Sequence, residues 1–177
     1  VKPHRVAGHA IVNISFKEPG KIPGDATADQ MDAVAGLAEQ FGHDEIRVTY
    51  QQNLVLPTVA VADLAKVYNG LIAAEIETAN TELITDIIAC PGLDFCNLAN
   101  ARSIPIAQEI AKRFADPDKA EAIGPLRLNI SGCINACGHH HAGHIGILGV
   151  DKKGTEHYQI SLGGSPKEDA EIGDIVG

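Results

Sequence analysis

Apolar positions in the first third of the chain fall into short alternating runs and one clear helical stripe. His9-Ala10-Ile11-Val12-Asn13-Ile14-Ser15-Phe16 mostly alternates and predicts a strand. Lys17 to Asp25, punctuated by Pro19, Gly20, Pro23 and Gly24, predicts a loop. Thr27, with Gln30 three residues on, forms a capping-box signature. Met31, Val34, Leu37, Ala38 and Phe41 then recur at helical spacing until Gly42 stops the helix. Glu45 to Tyr50 predicts a second strand and Leu54-Val55-Leu56 a third, with Gln51-Gln52-Asn53 as the turn or bulge between them. Val61 to Tyr68 predicts a second helix, ended by Asn69-Gly70. That order is a ferredoxin-like half-unit, βαββα, in the topological sense. Its apolar positions are expected to form a core.

From Leu71 the pattern changes. Leu71 to Thr81 is an Ala- and Glu-rich connector, and it suggests two domains, residues 1–75 and 76–177. Ile84 to Ala89 predicts a short strand delivering Cys90. Asn97 to Phe114 predicts a helix that Pro105 must kink or split, with Cys96 at its start. A thiolate there gains from the helix dipole. Asp116 to Gly124 reads as a polar connection, and Leu126 to Ile130 as a strand. His144 to Val150 and His157 to Leu162 predict a hairpin through Asp151-Lys152-Lys153-Gly154, with Lys152 and Lys153 at an exposed tip. Tyr50, Tyr68 and Tyr158 are expected in the core or at its rim.

Composition narrows the function classes. A chain of 177 residues can bury a substantial core. The formal net charge of -9 argues against a general nucleic-acid binder, which must neutralise phosphates. No apolar run approaches a membrane span. The amino end, Val1-Lys2-Pro3-His4-Arg5, carries no apolar signal core and no initiating Met, so the chain is expected to be an internal piece of a longer protein. Cysteine usage suits a reducing cytoplasm, where thiols bind metal and disulfides are rare.

The cysteines carry the chemistry. Cys90 and Cys96 sit in a Pro-Gly loop, Cys133 and Cys137 in Ser131-Gly132-Cys133-Ile134-Asn135-Ala136-Cys137-Gly138, and every cysteine belongs to one of these pairs. Two pairs of thiols suggest one four-ligand metal site. Cys133 and Cys137, spaced i, i+4, would share a side of one helical turn. Gly132 and Gly138 would admit close backbone approach and positive φ on either side. Structural zinc sites use tighter spacings than C-x5-C and C-x3-C, whereas a [4Fe–4S] cluster tolerates wider loops. The spacing favours the cluster and leaves zinc open. His139, His140, His141 and His144 follow the last cysteine. They either line a cofactor cavity or face solvent, or they join a mixed Cys/His site; four cysteines already complete a cluster, which favours the first reading.

Cys90-Pro91-Gly92-Leu93-Asp94-Phe95-Cys96, Ser131 to Gly138 and Ile145-Gly146-Ile147-Leu148-Gly149 together resemble the cluster region of the sirohaem-dependent sulfite/nitrite reductases. Arg47-Val48-Thr49-Tyr50-Gln51-Gln52-Asn53-Leu54 is similar to that family's Arg-x-Thr-x-x-Gln-Asn segment. Tyr158 to Gly164 is similar to the strand and Leu-Gly-Gly turn after its cluster. The resemblance implies an α+β chain, a ferredoxin-like half-unit followed by an α/β domain that binds sirohaem and a [4Fe–4S] cluster. It implies Cys90, Cys96, Cys133 and Cys137 as cluster ligands, with Cys137 bridging to the sirohaem iron. Asn135 matches a family residue near the macrocycle, and Gly138 is expected to let the backbone pass beneath it. The implied reaction is six-electron reduction of sulfite to sulfide or nitrite to ammonia. The implied electron donor is ferredoxin or a flavoprotein.

This chain resembles the second of the family's two repeats. The Arg and Lys residues that hold the anionic substrate come from the first, and no segment here matches them. With 14 Lys plus Arg, mostly scattered, the chain is poorly equipped to bind a carboxylate-rich macrocycle alone. It is therefore expected to need the first repeat as partner and to be inactive without it. Arg47 and Thr49 read most simply as strand residues. Two other classes stay open: an electron-transfer iron–sulfur protein without sirohaem, and a zinc-stapled structural or interaction module.

Overall fold

The computed structural model describes all 177 residues, which divide into two compact units. The first comprises Val1–Glu18 and Gly24–Thr81; the second comprises Pro19–Pro23 and Glu82–Gly177. Ile76 still packs in the first unit's core, which carries that unit through the connector as far as Thr81.

In the first unit, strands β1 (Lys2–Pro3), β2 (His9–Ile14), β3 (Arg47–Val48) and β4 (Leu54–Ala60) form an antiparallel sheet of order β1-β2-β4-β3. Helices α1 (Ala28–Phe41) and α2 (Leu64–Ala73) supply Val34, Leu37, Val67 and Leu71 to the core beside Val12, Ile14, Leu56 and Val59. The capping box forms as predicted. Thr27 Oγ1 accepts from Gln30 N–H, and Gln30 Oε1 accepts from Thr27 N–H.

Several boundaries differ from expectation. The second strand shrinks to Arg47–Val48, and the third runs on to Ala60 through Pro57. Proline has no N–H for a ladder, and the register slips where it falls: Ala10 pairs Val59 while Val12 pairs Leu56. The second helix begins with a 3₁₀ turn, Val61–Asp63, and continues through Asn69-Gly70. Gly70 does not stop that helix. A Cβ there would lie 2.6 Å from Leu37 Cδ2, so the glycine lets α1 and α2 approach. Met31, expected in the core, is exposed, as are Tyr50 and Tyr68. Lys17, read as the start of a loop, is buried, and its ammonium donates to the Gln51 carbonyl.

The second unit is a mixed sheet of order β5-β6-β7-β8-β9: Ile88–Ala89, Leu128–Ser131, Ile145–Lys152, Thr155–Leu162 and Asp174–Ile175. The first three strands are parallel and the last three antiparallel. The predicted hairpin is present. Its two-residue turn, Lys153-Gly154, has positive φ at both positions, the backbone that suits a tight hairpin. Helix α3 (Ile104–Arg113) packs Ala107 and Ala111 on Ala89, Leu128, Ile130 and Ile147.

Helix α3 starts well after Cys96, because Pro105 lies in its first turn, where a missing N–H costs nothing. Cys96 consequently sits in irregular chain after the 3₁₀ turn Gly92–Asp94, not at a helix terminus, and the dipole argument does not hold for it. Asp116 to Gly124 is not a bare connection but a short helix, α4 (Pro117–Ile123). Asp116 caps it by accepting from Asp118 N–H, Pro117 opens it, and Gly124 follows with φ of 77°.

Candidate metal centre

Both cysteine pairs lie just beyond the carboxyl ends of neighbouring parallel strands. Ala89 pairs Ile130, so Cys90 and Ser131 leave β5 and β6 side by side. Ligand sites in parallel sheets favour that edge. The loops then lock together. Gly132 O accepts from both Asn100 N–H (2.8 Å) and Ala101 N–H (3.0 Å), and Gly132 N–H donates to Cys90 Sγ at 3.0 Å. A Cβ on Gly132 would lie 2.8 Å from Gly92 Cα, so the two loops meet glycine to glycine.

The second loop folds back over the sheet face opposite α3. Ile130 points toward α3, so Asn129 and Ser131 point the other way, and both are buried. Asn129 Nδ2 donates to His139 O at 3.0 Å, and Ser131 Oγ accepts from Gly138 N–H at 3.1 Å. Gly138 does not have positive φ; Ala136 and His139 do. What requires glycine at 138 is its own chain, since a Cβ would sit 2.0 Å from Ile130 O. Cys133 to Cys137 is a run of turns, with Ala136 N–H donating to Cys133 O, and not the helical turn that the spacing suggested.

All four cysteines are free thiols. Cys90 and Cys133 are buried, Cys96 is half-buried, and Cys137 is exposed. Asn135 is exposed beside Cys137, and so is Ile134. No three His, Cys, Asp or Glu side chains converge tightly enough for a single metal ion. A cubane spreads its thiolate ligands more widely than one ion does, and two loops lined by free thiols at one sheet edge fit it.

The His141 ring packs edge to face with two neighbouring rings, its centroid 6.4 Å from that of His139 and 5.3 Å from that of His140. His140 is held below the ordinary imidazole range, first by burial and then by His141. His144 Nδ1 accepts from Arg127 N–H.

A group missed in the sequence braces the first loop. Arg102 reaches Asp94 at 3.9 Å and Glu156 at 3.7 Å, its N–H donates to Glu156 Oε2 at 2.8 Å, and Tyr158 OH donates to Arg102 O. The Arg102 N–H holds the Glu156 carboxyl below the usual range, and burial with Glu156 pushes the Tyr158 phenol up to about 12. Nothing in local sequence spacing couples positions 94, 102 and 156.

Comparison with known proteins agrees with this architecture. Residues 20–74 match the nitrite/sulfite reductase ferredoxin-like half domain, and residues 81–176 match the nitrite and sulphite reductase 4Fe-4S domain. Sulfite reductase (ferredoxin) 2 of Mycolicibacterium paratuberculosis is 34% identical over 86% of this chain and 29% of its own length. The chloroplastic ferredoxin–nitrite reductase of Zea mays is 31% identical over 86% of this chain and 28% of its own. The Mycobacterium tuberculosis NirA protein superposes with a TM-score of 0.77 at 26% identity, covering 100% of this chain and 35% of that one. This chain thus spans less than a third of the curated relatives it matches. No helix is long and apolar enough to cross a membrane. With residues 81–176, more than half of its length, matching the 4Fe-4S domain, the chain belongs to the nitrite and sulphite reductase family.

Proposed function

We propose that this chain is the cofactor-binding second repeat of a sulfite or nitrite reductase, with Cys90, Cys96, Cys133 and Cys137 holding the [4Fe–4S] cluster and Cys137 also meeting sirohaem. When bound, these groups supply electron storage and a substrate-binding iron for six-electron reduction of sulfite to sulfide or nitrite to ammonia. The observation that carries the reading is the locking of the two cysteine loops through Gly132, at the carboxyl ends of β5 and β6. Buried Cys90 and Cys133 suit ligands that face one centre. Exposed Cys137, with exposed Asn135 two residues before it, suits a sulfur with room for a second centre. Gly138 supports that segment from beneath by fitting against Ile130. The substrate-holding cations are assigned to a first repeat, electrons to ferredoxin, the donor named for the relatives above, and the site of action to a reducing compartment such as the cytoplasm.

Anaerobic reconstitution with iron and sulfide tests the ligand set. Loading should approach about four irons per chain with a broad brown absorbance. Cys90→Ser and Cys133→Ser should each impair it. Full loading after two cysteines are removed, or a colourless zinc-bound product in competition, would refute the assignment.

A further inference from the structure

Cys90 differs from the other cysteines in what surrounds its sulfur. Sγ accepts from Gly132 N–H at 3.0 Å and lies 3.5 Å from Ser103 Oγ. Ser103 is 0% exposed and occupies the cap position of α3, yet its side chain makes no capping bond. The hydroxyl turns the other way and donates to the carbonyl of Cys90. Gly92 keeps this space open, because a Cβ there would lie 2.5 Å from Ser103 Oγ. A buried serine that leaves a helix end uncapped to reach both the carbonyl and the sulfur of one cysteine gives up stability that capping ordinarily supplies.

We propose that Ser103 is a positioning residue that sets the reduction potential of the cluster through Cys90. The proposal rests on the reading of Cys90 as a cluster ligand. In the free thiol, the S–H can donate to Ser103 Oγ while the hydroxyl donates to the carbonyl. Once the sulfur is a ligating thiolate, it has no proton to give, and the hydroxyl proton can turn toward it beside the fixed Gly132 N–H. Hydrogen bonds to the ligand sulfurs of iron–sulfur clusters help set their potentials. The reduced state places more negative charge on sulfur, so a donor favours it and raises the potential. The electron comes from an added reductant such as dithionite, and both protons stay covalently attached to Ser103 Oγ and Gly132 N.

The test is an EPR-monitored redox titration of the reconstituted 177-residue chain, its Ser103→Ala variant and its Ser103→Thr variant, with iron counted in each. Equal iron loading is expected, with the midpoint shifted to more negative potential in Ser103→Ala and returned toward the parent value in Ser103→Thr. A fully loaded Ser103→Ala protein with an unchanged midpoint overturns the proposal and leaves the ligand assignment standing. A parent chain that loads no iron overturns the ligand assignment, and the proposal with it. If Ser103→Ala alone fails to load, pulsed ENDOR of the reduced parent in H2O and D2O decides: two exchangeable protons on the Cys90 thiolate support Ser103, and one overturns it.

Discussion

Gly138 shows how a glycine can serve a site without touching a ligand. The space its Cβ would fill belongs to Ile130 O, 2.0 Å away, and that oxygen accepts the hydrogen bond from Cys90 N–H. Both partners are backbone in a parallel sheet, so neither can yield cheaply. Gly138→Ala should therefore destabilise the cofactor-free chain by about 3 kcal/mol, the upper part of the range for overpacking. It should also disturb Cys90 from across the strand pair. Urea unfolding of the apo chain, followed by circular dichroism, checks the first effect. An unchanged midpoint would mean that glycine is needed there only for the cofactor, as the sequence alone had suggested. The cysteines and the capping Thr27–Gln30 pair were readable because their chemistry depends on spacing alone. The buried Lys17 and the Ser103–Cys90 contact were not, because their partners come from the fold.

At the scale of elements, the β7–β8 hairpin does more than extend the sheet. Its strand β8 carries Glu156 and Tyr158 to Arg102, which joins the Cys90–Cys96 loop to α3. Burial and then the Glu156 carboxylate raise the Tyr158 phenol to about 12. A free tyrosine titrates near 10, so the folded chain holds this proton more tightly than the unfolded chain. The stability so conferred is present in full below about pH 10 and lost as pH rises through about 12. Thermal unfolding between pH 9 and 12 should show this loss in the parent and a smaller one in Tyr158→Phe, with ultraviolet titration reporting the phenol directly. An identical pH profile in the two proteins would remove Tyr158 from the account. Helix α4 had a legible signature, Asp116 before it, Pro117 at its first position and Gly124 after it, which the polar composition of the stretch obscured. Pro105 was read as a break when it marks a beginning, because one proline suits both the end of one segment and the first turn of the next.

The whole molecule has two cores and one cysteine-bearing edge, and it spans less than a third of the two curated reductases named above. If the substrate-holding cations belong to a first repeat, this chain should show negligible reduction of sulfite or nitrite when given cluster, sirohaem and an artificial electron donor. Turnover comparable to that of a complete reductase would sink the two-repeat reading. Steady-state assays of the isolated chain, with iron and macrocycle quantified on the same sample, make that comparison.

Sequence alone determined what depends on neighbours along the chain: the alternation of β2, the capped stripe of α1, the hairpin turn at Lys153-Gly154 and the two thiol pairs. These follow from side-chain period, local hydrogen bonding and residue chemistry. Tertiary structure decided where β4 slips at Pro57, why Gly70 lies inside α2, and how Cys90 comes to rest against Gly132 and Ser103. Each of those depends on a surface brought from elsewhere in the chain. Asn129 and Ser131 make the distinction plainest. In sequence they are two polar residues at alternate positions, with nothing nearby along the chain to partner them. In the fold they are buried, because the loop carrying Cys133 and Cys137 returns across them and supplies His139 O and Gly138 N–H as partners.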